Sequence, residues 1–120
     1  MAGVEKRSFE SPDETRTPSK TRSEIVHVGG VAASRLTLEP GWSWAECIKP
    51  VVGTETCQHR HLGVVQSGRM RVTHDDGTVL EIGPGDAYLI EPGHNAEVLG
   101  DDGFVGYEFE QKAAEEYARG

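Results

Sequence analysis

From Ser23 onward the chain alternates short apolar and polar positions, broken at regular intervals by turn signals. Arg69-Met70-Arg71-Val72-Thr73 sets polar and apolar residues in succession, and so does Val105-Gly106-Tyr107-Glu108-Phe109. A period of two sends successive side chains to opposite faces of a strand. Ala87 to Ile90 is a short apolar run, the pattern of a strand covered on both faces. Between the runs stand Glu39-Pro40-Gly41, Ser67-Gly68, Asp75-Asp76-Gly77, Gly83-Pro84-Gly85-Asp86, Glu91-Pro92-Gly93 and Gly100-Asp101-Asp102-Gly103. Gly supplies positive φ, Pro presets the turn angle and Asp bonds the local backbone. Five of these six signals lie eight or nine residues apart, the rhythm of an all-β sandwich or barrel rather than of βαβ units. Only Gln111 to Arg119, rich in Ala and Glu, predicts a short C-terminal helix.

Composition divides the chain. Residues 1–22 carry nine charged side chains and only four apolar ones, Met1, Ala2, Val4 and Phe9. So little apolar surface does not offset ordering entropy, so this segment is expected to be a disordered tail. Residues 23–120 then form one small domain, with a core that is sufficient but thin. The tail is nearly neutral, which leaves seven basic against sixteen acidic residues for the domain. That excess repels phosphate backbones and anionic membranes, arguing against nucleic acid or membrane as partner. The start of the sequence has no apolar run of signal-peptide type and no stretch long enough to span a bilayer, so the cytoplasm is the expected compartment. Two cysteines, Cys47 and Cys57, are too few for a disulfide scaffold and point to burial or metal binding.

The chemistry concentrates in Cys57-Gln58-His59-Arg60-His61. In a strand, 57, 59 and 61 share a face, each about 7 Å from the next, and could converge on one ion only with help from a neighbouring strand. Elsewhere, His74 borders a hairpin and is expected in solvent, and His27 has no partner nearby in sequence. Trp42 and Trp44 alternate as on one face of a strand, suiting core packing or a subunit contact, and Arg69 and Arg71 share the exposed face of theirs.

These residues resemble the cupin superfamily, whose first motif is G-x5-H-x-H-x(3,4)-E-x6-G and whose second is G-x5-P-x-G-x2-H-x3-N. His59-x-His61 looks like the H-x-H pair, but that register leaves the Glu slot on Val65 or Gln66. Gly68, in a hairpin turn, is the better anchor. Counted back from it the motif reads Glu55-x-Cys57-x3-His61-x6-Gly68, with ligand types exchanged and the leading Gly replaced by Lys49. The second motif fits as Gly85-x5-Glu91-Pro92-Gly93-x2-Ala96, with Ala96 in the His slot and His94 two positions earlier. His94 either refills that slot or caps the turn. More narrowly, Cys57 to Met70 matches the pattern C-Q-x-x-H-x-G-x-V-x-S-G-R-M of small bacterial single-domain cupins. Asp76-Gly77-Thr78, Ile82 to Asp86 and Pro92 to Ala96 match a second signature of that group. In those relatives position 47 is often His and position 97 often Trp; here they are Cys47 and Glu97.

The resemblance implies a cupin fold, a double-stranded β-helix or jelly-roll barrel, and a homodimer. It implies a metal site of Cys57, His61 and His94, with Cys47 or Glu55 as a fourth ligand. Thiolate with imidazole suits Zn, Fe, Ni or Cu. Three protein ligands leave a position open for water or substrate. His59 is expected to act as a base beside the metal or as the third ligand itself. The expected function is a metal-dependent enzyme, of dioxygenase, isomerase or lyase type, on a small organic molecule inside the barrel. The alternative is a non-catalytic small-ligand-binding or sensing module.

Overall fold

The computed structural model describes residues 3–110. The expected C-terminal helix, 111–119, lies outside the described residues. Nine strands form two antiparallel sheets: β1 (Glu14–Arg16), β2 (Thr21–Val28), β3 (Val31–Leu38), β4 (His61–Ser67), β5 (Arg69–His74), β6 (Val79–Ile82), β7 (Ala87–Ile90), β8 (His94–Leu99) and β9 (Phe104–Glu110). The larger sheet runs β1-β2-β3-β9-β4-β7 and the smaller β6-β5-β8. Between β3 and β4 lie two four-residue helices, α1 (Trp44–Cys47) and α2 (Lys49–Val52).

The core fills the space between the sheets. Leu38, Val65, Tyr88 and Phe104 come from the larger sheet, Met70, Val72, Ile82 and Val98 from the smaller, and Trp42, Trp44 and Cys47 close one side. Strand β5 follows the predicted alternation, with Met70 and Val72 inward and Arg69 and Arg71 outward. Gly68 joins β4 to β5 at φ +83°, and a Cβ there would stand 2.0 Å from the carbonyl oxygen of Gly103. Only glycine meets both the positive φ and the close approach.

Several expectations are corrected. The first 22 residues are not a free tail. Glu14–Arg16 pair with β2, and the ring of Phe9 lies 5.5 Å from that of Tyr107 on β9. Glu10 pairs with Arg35 at 3.0 Å, and Asp13 accepts the backbone N–H of His27 at 2.8 Å. Composition misleads here because this segment is held by one aromatic contact and by polar partners on the sheet rather than by bulk apolar burial. Trp42 and Trp44 are core residues, as one reading had it, but not in a strand. Trp42 lies in a turn, and Trp44 opens α1 behind Ser43, whose Oγ accepts the N–H of Glu46. Two helices of four residues are too short to show a 3.6-residue period. Strand β7 is an edge strand with Leu89 half exposed, so Ala87 to Ile90 is covered on one face only. His74 is not simply solvated: its Nε2 donates to the carbonyl of Pro92 at 2.9 Å, and its Nδ1 accepts the N–H of Asp76.

Among the described residues, no helix is long and apolar enough to cross a membrane.

Candidate metal centre

Cys57, His61 and His94 come together inside the barrel, their ligand atoms all within 4.8 Å of one another. Each is delivered by a different device. Cys57 and His94 are tied through the backbone: the N–H of Cys57 donates to the His94 carbonyl at 2.8 Å, and the N–H of Gly93 to the Cys57 carbonyl at 2.8 Å. His61 opens β4, opposite Ile90 of β7, with its side chain inward. Its Nε2 lies 3.5 Å from the Sγ of Cys57, and its ring stands edge-on to that of His94 at 5.1 Å.

Both imidazoles are fixed from behind. The Nδ1 of His94 lies 2.8 Å from the carbonyl oxygen of Glu91. A carbonyl can only accept, so Nδ1 carries a proton and Nε2 is the ring atom left to face an ion. The Nδ1 of His61 lies 2.7 Å from Oε1 of Glu108, whose other oxygen accepts the hydroxyl of Tyr88 at 2.6 Å. Carboxylate and carbonyl supports of this kind orient metal-binding histidines and make them better donors. Room for the group comes from Gly63, where a Cβ would meet the Tyr107 carbonyl at 2.3 Å and the Tyr88 hydroxyl at 2.9 Å.

The charges are strongly coupled. Burial opposes ionisation of Cys57, but hydrogen bonds to His61 and His94 outweigh it and pull the thiol down from 9.0 to about 6. Burial likewise opposes protonation of His61, yet Cys57 and Glu108 push it up from 6.5 to about 10. Burial acts to raise Glu108, but the neighbouring His61 holds it below the usual carboxylate range. Burial and the Glu108 charge raise Tyr88, keeping its hydroxyl a donor.

The donor set fits a transition ion. Metal–sulfur and metal–nitrogen bonds of about 2.3 and 2.0 Å put two tetrahedral donors roughly 3.5 Å apart, the separation already found between Cys57 and His61. One thiolate and two imidazole nitrogens, that of His61 once the ion displaces its Nε2 proton, suit Zn, Fe, Ni or Cu and not Mg or Ca.

The other sequence candidates stand elsewhere. Cys47 is buried in the core cluster and is not among the three converging groups. Glu55 is exposed and paired with Lys49 at 3.0 Å. His59 does not share the inward face of His61, because residues 58–60 form a loop rather than a strand. Its side chain is 61% exposed and pairs with Glu110 at 3.1 Å, at the rim of the cavity above the centre. Glu108 and Tyr88 were missed. In β9 the alternation suggests Val105, Tyr107 and Phe109 as the inward face, whereas Phe104, Gly106 and Glu108 point in. Phe9 covers Tyr107 from the other side, so hydropathy alone does not pick the face. The one available signal was an acidic residue beside Gly106 in an otherwise apolar strand.

Two facing antiparallel sheets around an internal His/Cys cluster define a jelly-roll barrel with a metal-type centre. No family model matches the chain, and no curated protein matches it by sequence. Solved structures do match in shape. A protein of unknown function from Rhizobium leguminosarum bv. viciae 3841 superposes with a TM-score of 0.64 at 19% identity, covering 90% of this chain and 96% of that one. The oxalate decarboxylase of Lactobacillus farciminis, in its formate complex, gives 0.63 at 18% identity over 91% of this chain, which spans only 33% of that protein. KdgF from Halomonas sp. gives 0.55 at 22% identity, over 80% and 85% of the two chains. The chain shares the fold of these structures, a small barrel of two antiparallel sheets.

Proposed function

We propose that the protein is a metal-dependent enzyme that acts on a small organic molecule held inside the barrel. One observation carries this reading. Cys57, His61 and His94 converge at the wall of a cavity of about 800 Å³ that opens to solvent, with the far nitrogen of each histidine already anchored. Cavities of this size suit small-molecule ligands. Cys57, His61 and His94 would hold the ion, leaving a position for a substrate oxygen or nitrogen. A bound ion supplies Lewis-acid polarisation of that atom, or redox chemistry if it is Fe or Cu.

The chain's own groups supply the rest. Glu108 keeps the His61 proton on Nδ1, and Tyr88 keeps Glu108 in place. His59, paired with Glu110 at the rim, is the group to carry a proton between the cavity and water through its Nε2. Oxidation by dioxygen, isomerisation and elimination are all compatible with this equipment. The second reading, a non-catalytic binding or sensing module, is favoured by the thiolate, which can hold an ion without turning anything over.

Elemental analysis of protein purified without a chelating tag tests the proposal. A stoichiometric transition metal that disappears in the Cys57→Ala/His61→Ala variant supports it. A metal-free wild type that also fails to take up Zn, Fe, Ni or Cu overturns it. The same reading includes a homodimer, supported by apolar side chains exposed on the outer face of the larger sheet: the cross-strand pair Leu62 and Leu89, with Phe109 on the neighbouring strand. Light scattering that returns a mass of 13.1 kDa refutes the dimer.

A further inference from the structure

The cavity is larger than a metal ion would use, and its wall is mostly apolar. Its wall includes Ile25, Leu36, Trp42, Trp44, Met70 and Ile90, contributed by both sheets and by the segment between them. At its edge, Val51 and Val52 of α2 are 71% and 55% exposed, so the apolar lining continues out to the mouth.

The charges around it decide which molecule fits. Two arginines line the cavity, Arg16 and Arg60. Arg16 is paired with Glu14 at 3.1 Å and Arg60 with Glu91 at 2.8 Å. Two carboxylates, Glu108 and Glu110, line the same space. A divalent ion held by the Cys57 thiolate beside Glu108 leaves no net positive charge at the centre. An anionic ligand would therefore enter a mostly apolar space with no free cation among the described lining residues to meet it, in a domain that is already acidic.

We infer that the cavity takes a neutral, mostly apolar molecule of one- or two-ring size, and that it rejects the anionic form of such a molecule. This deepens the function proposed above and rests on its placement of the substrate inside the barrel, though not on the metal.

The test uses N-phenyl-1-naphthylamine, which is neutral, and anilinonaphthalenesulfonate, a sulfonated anion on similar rings. Trp42 and Trp44 are the chain's two tryptophans, so energy transfer from them reports binding of the dye to the protein, and the V51D variant assigns that binding to this cavity. The full chain is titrated both as purified and after exhaustive chelation. The neutral amine is expected to quench tryptophan emission saturably and to bind at least tenfold tighter than the sulfonate, with or without metal. The V51D variant, altered only at the exposed rim, is expected to weaken the amine at least threefold. Equal or tighter binding of the sulfonate, absence of saturable quenching, or an unchanged affinity in V51D each overturns the inference. A chain that binds metal but not the amine refutes this inference alone. A chain that binds the amine but no metal refutes the metal reading and leaves the inference standing.

Discussion

Glu108 is the residue through which the metal reading can be tested most sharply, because it would touch the ion only by way of His61. Its carboxylate accepts the Nδ1 proton of His61 at 2.7 Å and the Tyr88 hydroxyl at 2.6 Å. In Glu108→Gln the amide oxygen can still accept from His61, and its NH2 can donate to the Tyr88 oxygen. Shape and hydrogen bonds are kept; one negative charge is lost. That charge makes His61 a stronger donor, and losing such support typically weakens metal binding about 10- to 100-fold. Because the hydrogen bond survives, the lower end applies, about tenfold or ~1.4 kcal/mol. Competition for Zn or Co against a chromophoric chelator at pH 7.5 reads this directly, with circular dichroism to verify an unchanged fold. Tyr88→Phe, which only loosens the carboxylate, should fall between wild type and Glu108→Gln. An affinity for Glu108→Gln within twofold of wild type would sink the argument that Glu108 supports a metal-bound histidine.

Three further outcomes are expected. His59→Ala, altering an exposed rim residue, should leave metal affinity within twofold; a tenfold loss in the same competition assay would make His59 a ligand after all. Gly63→Ala forces a Cβ against the Tyr107 carbonyl and should cost about 1–3 kcal/mol in urea unfolding, a cost whose absence would refute the close packing around Tyr88 and Glu108. Glu24, buried in β2 and bonded to Arg35 at 2.9 and 3.0 Å, is held below the usual carboxylate range by that hydrogen bond. Its contribution is therefore present above the ordinary value of 4.5 and fades as pH falls through the lower folded value. Glu24→Gln should cost about 2 kcal/mol at pH 7, and the gap in Tm to wild type should close as the pH falls below 4.5; a gap that widens on acidification contradicts the sign.

The sequence made the barrel legible because its turns are chemically explicit. Gly68 and the Pro92-Gly93 turn fix where β4 passes to β5 and where β8 begins, and Met70 and Val72 declare the inward face of β5. The site was legible only in part. Counting from Gly68 singled out Cys57 and His61, and these two side chains do lie within 3.5 Å. The period-two argument that grouped His59 with them fails because residues 58–60 leave the strand conformation, so a rule about alternating faces has nothing to act on. Cys47 and Glu55 were the alternatives for a fourth ligand, but one packs among core side chains and the other stands in solvent, paired with Lys49. Spacing in sequence does not carry that difference. The N-terminal segment was misread for a related reason. The Glu10–Arg35 pair and the Phe9–Tyr107 contact connect residues far apart in the chain, and composition counts residues without their partners.

The three converging donors belong to different parts of the scaffold. His61 is carried by the larger sheet, His94 by the smaller, and Cys57 by a loop sewn to the start of β8 through main-chain hydrogen bonds. An ion bound there acts as a rivet through both walls of the barrel. Loading should slow amide exchange on β4 and β8 together, although the two strands share no ladder, and should raise the melting temperature as the logarithm of free metal concentration. The centre would then govern how far the walls can breathe apart, and so when the interior opens to a visiting molecule.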